Sequence, residues 1–289
     1  MKRTKDDLFR IAMNQSALDM NCAPSDFLRE EPVITAADWH PEKKKYYGKP
    51  IACNMVSYGA NTVASVTDEL RAVVTEYVHR FEWMHCFETP NLHWLGDRLA
   101  PYGQRVCFMA EYFLPDPAKL QVLPCDYPLR VLTPPDFAEL YRPEWSNALC
   151  EKRKELDVLG VGAYDGDRLI GLAACSADCA EMRQIGIDVL PEYRRRGVAS
   201  ALTSRLTAEI LDRGFVPFYC AAWSNIRSVR NAIRCGFVPA WAEMTVKPTE
   251  YVDGMNEENR SFSEDRSSGV LQNPGIKNRN GYRFEKYFE

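Results

Sequence analysis

Apolar positions recur along this chain with two periods, one helical and one strand-like, and the change of period marks the elements. Residues 5–20 read as a helix, and PEKKKYYGKP (41–50) as a basic surface loop. IACNMVSYGANTVASV is strand material broken at Gly59-Ala60-Asn61, a turn signal. TDELRAVVTEYVHRF then places Leu70, Val73, Val74, Tyr77, Val78 and Phe81 at helical spacing, with Thr67 as the expected N-cap. NLHWLGDRL reads as a further short helix and RVCFMAEYF as a strand. LPDPAKLQVLPCDYP follows, with prolines at 115, 117, 124 and 128; such a stretch sustains no pairing and is the expected domain boundary.

Beyond it the pattern becomes denser. LRVL (129–132) is a short strand; PPDFAELY and PEWSNALCEKRKE read as two helices. DVLGVGAYDGDRLIGLAACSA gives two strands joined around Asp165-Gly166-Asp167, and EMRQIGIDVL a third. VASALTSRLTAEIL sets Val198, Leu202, Leu206 and Ile210 on one helix face, closed by Gly214. FVPFYCAAW is a central-strand run despite Pro217, NIRSVRNAIRCGF a helix, and VPAWAEMTV the last strand. From Lys247 the composition turns polar, and 247–289 reads as a largely flexible tail whose end, YRFEKYFE, docks back. The expected organisation is therefore an N-terminal α/β domain (1–120), a second α/β domain (128–246) and this tail.

Composition narrows the function classes. A net charge of −4 gives no global attraction for nucleic acid or anionic membrane. There is no signal-peptide h-region and no apolar run of membrane-spanning length, so the expected compartment is the cytoplasm. The ten cysteines are scattered through apolar runs, which favours reduced thiols over a disulfide framework. His79, His85, Cys86 and His93 cluster in sequence, but their spacing fits no zinc pattern, and no metal is expected.

The chemistry concentrates in PEYRRRGVASAL, residues 191–202. A helix start already carries partial positive charge and ordinarily favours acids; three arginines and a glycine there fit a site awaiting an anion. Backbone N–H groups near 195–199, free of side-chain bulk at Gly197 and Ala199, would cradle a diphosphate. A solvent-facing basic turn is the plain alternative. Neither GxxxxGK[ST] nor GxGxxG occurs, so this is not a nucleotide or dinucleotide fingerprint.

Arg194-Arg195-Arg196-Gly197-Val198-Ala199, preceded by VLPEY, resembles the R/Q-x-x-G-x-G/A signature of the GNAT superfamily of N-acetyltransferases. About 30 residues on, Asn225-Ile-Arg-Ser228-Val-Arg-Asn231-Ala232-Ile-Arg234-Cys-Gly236-Phe237 is similar to that family's N-x-x-S-x-x-L-Y-x-K-x-G-F helix. The resemblance covers 128–246. It implies a mixed, mostly antiparallel sheet flanked by helices, and a site for acetyl-CoA as cosubstrate. The diphosphate would rest on the amides of Arg194 to Ala199, and the pantetheine arm would pair with Ile187 and Val189 where two strands diverge. Asn225 and Ser228 would flank the arm. Pro217 is a candidate for keeping the strands apart, and Val189 or Leu190 N–H for stabilising the oxyanion.

The family's tyrosine, the acid for the departing thiolate, falls on Ala232. Tyr219 and Tyr193 are candidate substitutes. Glu181 is the first candidate base, ahead of Asp178 and Asp188, and the segment from Tyr141 to Leu149 with Trp145 would wall the acceptor pocket. The implied activity is acetyl transfer from acetyl-CoA to a primary amine of a small molecule or amino-acid-like acceptor, by direct attack in a ternary complex. A catalytically silent acyl-CoA sensor or interaction module, and an acyltransferase using a longer acyl-CoA, are the alternatives. Neither nucleic acid nor membrane is an expected partner, and the sequence fixes no oligomeric state.

Overall fold

A computed structural model describes residues 3–45 and 51–257. Residues 46–50 of the basic loop, and the tail from 258 with its YRFEKYFE end, lie outside the described residues. Among the described residues, helices α1 (Lys5–Met20), α2 (Arg71–Arg80), α3 (Thr89–Leu99), α4 (Val198–Asp212) and α5 (Ile226–Arg234) pack on a sheet of ten strands. The strands are β1 (Val33–Ala36), β2 (Cys53–Ser57), β3 (Val63–Val66), β4 (Gln104–Pro115), β5 (Leu129–Leu132), β6 (Asp157–Asp165), β7 (Arg168–Ser176), β8 (Met182–Val189), β9 (Val216–Ala222) and β10 (Phe237–Pro248). Their order is β1-β3-β2-β10-β4-β9-β8-β7-β6-β5. Among the described residues only β1–β3 and β8–β9 are parallel pairs, so the fold is the mixed, mostly antiparallel sheet flanked by helices that was expected.

Local chemistry accounts for the helices. Thr4 and Asp7 close a reciprocal capping box at the start of α1, and Asn21 ends it in the left-handed region. Thr67 does not cap as expected: its side chain makes no cap bond, and a 3-10 turn at Asp68–Leu70 leads into α2 instead. Strands β2 and β3 are buried along their whole length, because α1 covers one face and α2 with α3 the other.

Strand β4 runs into the first two residues of the proline stretch, Leu114 and Pro115, and lies between β9 and β10, pairing with both. The sheet therefore runs straight across the expected boundary, and the first half supplies a strand to the second. The expected tail is also shorter, since Lys247 and Pro248 extend β10 and residues 249–257 are helical.

The two helices expected between 134 and 156 are corrected to 3-10 turns at Pro134–Phe137, Pro143–Trp145 and Glu151–Leu156. Two causes are visible. Pro143 cannot continue a helix from 137, and the Asn147 amide donates to Asp188 rather than to the preceding turn, while the Ala148 amide is shared between Asp188 and the Trp145 carbonyl, each at 3.1 Å. Phe137, Trp145 and Leu149 pack with Leu172 and Ala174, drawing this irregular chain down onto β7.

Candidate functional site: a gap through the sheet

The basic loop is built by two left-handed residues. Arg195 has φ 63° and Gly197 φ 79°, and this alternation turns successive amides outward at the start of α4. Among the described residues, the N–H groups of Arg195 through Ser200 donate to no partner; the next amide, Ala201, returns to the Gly197 carbonyl. Arg194 braces the loop from behind, its Nε donating to the Val189 carbonyl at 2.8 Å. Arg196 departs from its expected role. Its guanidinium reaches the Tyr127 hydroxyl at 2.9 Å and lies over the Tyr193 ring, outside the cavity that Arg194 and Arg195 line. Tyr193 donates to Asp165, which commits its hydroxyl.

The loop opens into a cavity of about 1100 Å³. Strands β8 and β9 pair only at Met182, Arg183 and Gln184 against Val216, Pro217 and Phe218, then part. Beyond that point Tyr219 to Ala222 bond to β4 on the other side, which holds β9 away from β8. Pro217 lies in the paired stretch opposite Arg183, so the missing N–H is not what opens the gap.

Residues of both parities, Tyr219 and Cys220 on β9, Ile185 and Gly186 on β8, line the cavity. Side chains on a strand alternate between faces, so the cavity passes through the sheet. One face holds α4, α5, Ile187, Val189 and Tyr219; the other holds the irregular segment 143–156.

On the first face, the Leu190 N–H is already spent on the Ile170 carbonyl and is withdrawn as an oxyanion donor. Strand alternation turns the N–H groups of Val189 and Ile187 the other way, into the gap. Tyr219 is buried and its hydroxyl stands 2.7 Å from Ser228 Oγ; burial pushes it up to about 12. Burial thus keeps Tyr219 a neutral phenol where it lines the cavity. Asn225 caps α5 by accepting from the Ser228 amide, which leaves its NH₂ to the cavity. Asn231 bridges to Ser200 and Thr203 on α4 and so fixes α5 over the opening, a role its sequence position did not announce. Ala232 turns into the core beside Cys235 and is fully buried, with no room for a tyrosine.

The opposite face is formed by a close approach. Gly186 lies under Asn147, and an added Cβ would stand 1.8 Å from the Asn147 carbonyl oxygen. Asp188 clamps this contact with 2.8 Å and 3.1 Å bonds from the amides of Asn147 and Ala148 and a 2.6 Å bond from Asn147 Nδ2. It is thus a structural carboxylate, held at about 6 by burial against those donors. Asp178 is taken by Arg153 and Ser176, and its carbonyl accepts from Lys45 at 2.8 Å, which ties the first half of the chain to this end of the cavity. Trp145 packs into the core, while Asn147, Ala148 and Cys150 form the wall.

Glu181 lies elsewhere. Its side chain is 58% exposed, 3.8 Å from Arg3 and outside the cavity, which removes the reason for assigning it the base. Among the described residues the one carboxylate lining the cavity is Asp157, which begins β6 and shares a row with Ser176 and Gln184. Sequence reasoning passed over it because an acid after EKRKEL looks like another solvated charge.

Asp157 accepts from the Cys150 amide at 2.9 Å. Burial pushes its carboxyl up to about 7 against the lowering influence of Cys150, Tyr141 and Arg153, and Asp178 adds to the rise. A carboxyl raised on folding binds its proton more tightly in the native state, so stability falls as pH rises from about 4 to about 7. Asp157→Asn is therefore expected to gain about 2 kcal/mol at pH 8 and almost nothing at pH 4. Urea unfolding at the two pH values measures it, and an equal effect at both would contradict the buried-acid account.

Among the described residues no three His, Cys, Asp or Glu side chains could hold a metal ion together. His85 pairs with Glu88 and His79 with the Thr75 carbonyl. The cysteines are free thiols, and no helix of the described residues is long and apolar enough to cross a membrane.

Residues 110–240 match the GNAT acetyltransferase family model. No curated protein matches the chain. Solved structures to which the chain is similar include a GCN5-related N-acetyltransferase-like protein from Streptococcus suis 89/1591, at 19% identity and a TM-score of 0.40, covering 53% of this chain and 68% of that one. An acetyltransferase of the GNAT family from Colwellia psychrerythraea shares 14% identity at a TM-score of 0.38, over 55% of this chain and 63% of its own, under two thirds of its length. A GCN5-related N-acetyltransferase from Sphaerobacter thermophilus shares 14% at a TM-score of 0.43, over 68% and 77%.

Proposed function

We propose that this protein transfers an acetyl group from acetyl-CoA to a primary amine of a small molecule or amino-acid-like acceptor, by direct attack in a ternary complex; the match of residues 110–240 to the GNAT acetyltransferase family model supports this reading. One observation carries the reading: a single cavity joins an anion-receiving loop to a carboxylate-bearing pocket through a gap between two strands. The loop amides from Arg195 to Ser200 suit the diphosphate. The unpaired edge of β8 suits an extended pantetheine arm, which would add to it like a strand.

The amine would enter from the face of Asn147 and Asp157. An ammonium is drawn to the Asp157 carboxylate, whose proton affinity near neutrality suits it to take up a proton as the amine is freed. The amine nitrogen attacks the thioester carbonyl carbon, and the electron pair passes to oxygen beside the Val189 or Ile187 amide. Collapse breaks the C–S bond. The thiolate leaves with the second amine proton, and with a hydrogen bond from Tyr219 no separate acid is needed.

Calorimetric titration with acetyl-CoA, followed by thiol release across a panel of amines and amino acids, tests the reading. Tight binding with amine-dependent thiol release is expected. Binding without release throughout the panel would leave a coenzyme sensor, and absence of binding would remove the coenzyme from the account.

A further inference from the structure

Helix α5 carries more positive charge toward the cavity than a diphosphate accounts for. Arg227, Arg230 and Arg234 stand at spacings of three and four, which puts them within a narrow stripe on one helix face. All three line the cavity, on the same side of the sheet as the amide loop. Like charges so placed repel each other, and nothing offsets them: α5 has no acidic residue, and among the described residues none of the three has a carboxylate partner. Most other arginines here do, among them Arg153 with Asp178, Arg168 with Glu192, and Arg205 and Arg213 with Glu209.

The loop amides with Arg194 and Arg195 already suffice for two phosphate charges. A further anion therefore belongs on α5, carried by the same ligand. Its chemistry is narrowed by the setting. The stripe lines a cavity rather than a convex surface, and the chain's net charge of −4 offers no field for a nucleic-acid backbone. A phosphomonoester bears close to two charges at neutral pH and three acceptor oxygens, which suits a fork of guanidinium groups.

We propose that Arg227, Arg230 and Arg234 form a phosphomonoester subsite that makes the protein selective for coenzyme A bearing its 3′-phosphate over the 3′-dephospho form. This rests on the coenzyme reading above and goes beyond it, because the loop alone would take both forms equally. The selectivity is electrostatic and largely exposed, so it weakens as salt rises.

Calorimetric titration of the full chain with acetyl-CoA and with acetyl-3′-dephospho-CoA, at 50 and 500 mM salt, tests the subsite. The native protein is expected to prefer the 3′-phosphorylated form by about 10- to 100-fold at low salt, the range for two or so charge-assisted contacts. The triple variant R227A/R230A/R234A is expected to lose that preference while binding the dephospho form within threefold of the native protein. Its thermal midpoint should not fall, since repulsion along α5 is relieved. The triple lysine variant should keep most of the preference at low salt. Equal binding of both forms by the native protein, or a preference that survives in the alanine variant, overturns the subsite and leaves the coenzyme reading standing. Binding of neither form overturns both.

Discussion

Gly197→Glu is expected to weaken acetyl-CoA binding by at least about 100-fold, close to 3 kcal/mol. Two effects act together. A carboxylate would stand among the loop amides proposed to hold the diphosphate, and a non-glycine residue at φ 79° carries about 1–2 kcal/mol of strain. The strain alone is separable, because a Cβ at 197 meets nothing within 4 Å. Gly197→Ala should thus lower the unfolding free energy by that 1–2 kcal/mol and binding by less than tenfold. Calorimetric titration of the two variants reads the difference. Normal affinity in the glutamate variant would show that the loop is not the diphosphate site.

Gly186→Ala should have the opposite signature: coenzyme held, turnover and stability lost. The new methyl would sit 1.8 Å from one backbone atom of Asn147 and 2.8 Å from another, so neither neighbour is a side chain that can swing aside. The 143–149 segment must lift, and the three bonds into Asp188 stretch or break with it. The cost is about 3 kcal/mol, combining overpacking with a buried carboxylate that loses donors. Thiol release should fall more than tenfold, whereas acetyl-CoA affinity changes less than threefold because the loop lies on the other face. Urea unfolding and calorimetry check the two halves of this expectation. An unchanged unfolding midpoint would mean that the clamp over Gly186 is loose in solution.

The contrast between these two glycines shows what could be read in advance. Gly197 sits in a local pattern, arginines then glycine then a helix, whose meaning depends only on neighbours in sequence. Gly186 is required by a residue 39 positions earlier, and nothing in RQIGIDVL signals that approach. The same divide separates the helices. α4 was legible because one apolar stripe, Val198, Leu202, Leu206 and Ile210, is buried along it, whereas α5 was read from Ile226, Val229 and Ile233, of which Ile226 and Ile233 are exposed. The 134–156 segment was misread because Asp188, from a distant strand, competes for its amides. Glu181 was a poor choice of base for a related reason: position along the strand was visible, but the exposed pairing with Arg3 was not. Asp157 stayed hidden because burial, not spacing, gives it its proton affinity.

Strand β4 sets the order in which this molecule can be completed. Its partner β10 ends at Pro248, more than 130 residues after β4 begins at Gln104, and the two pair along nearly their whole length. A nascent chain emerging residue by residue exposes one edge of β4 until β9 emerges and the other until the final strand, β10, arrives. Closure of the sheet is thus a late, long-range event of the kind that slows folding. A chain stopped at residue 236 would lack the strand that fills the gap between β4 and β2, and residues 128–257 expressed without residues 104–115 would leave β9 without the neighbour that holds it off β8.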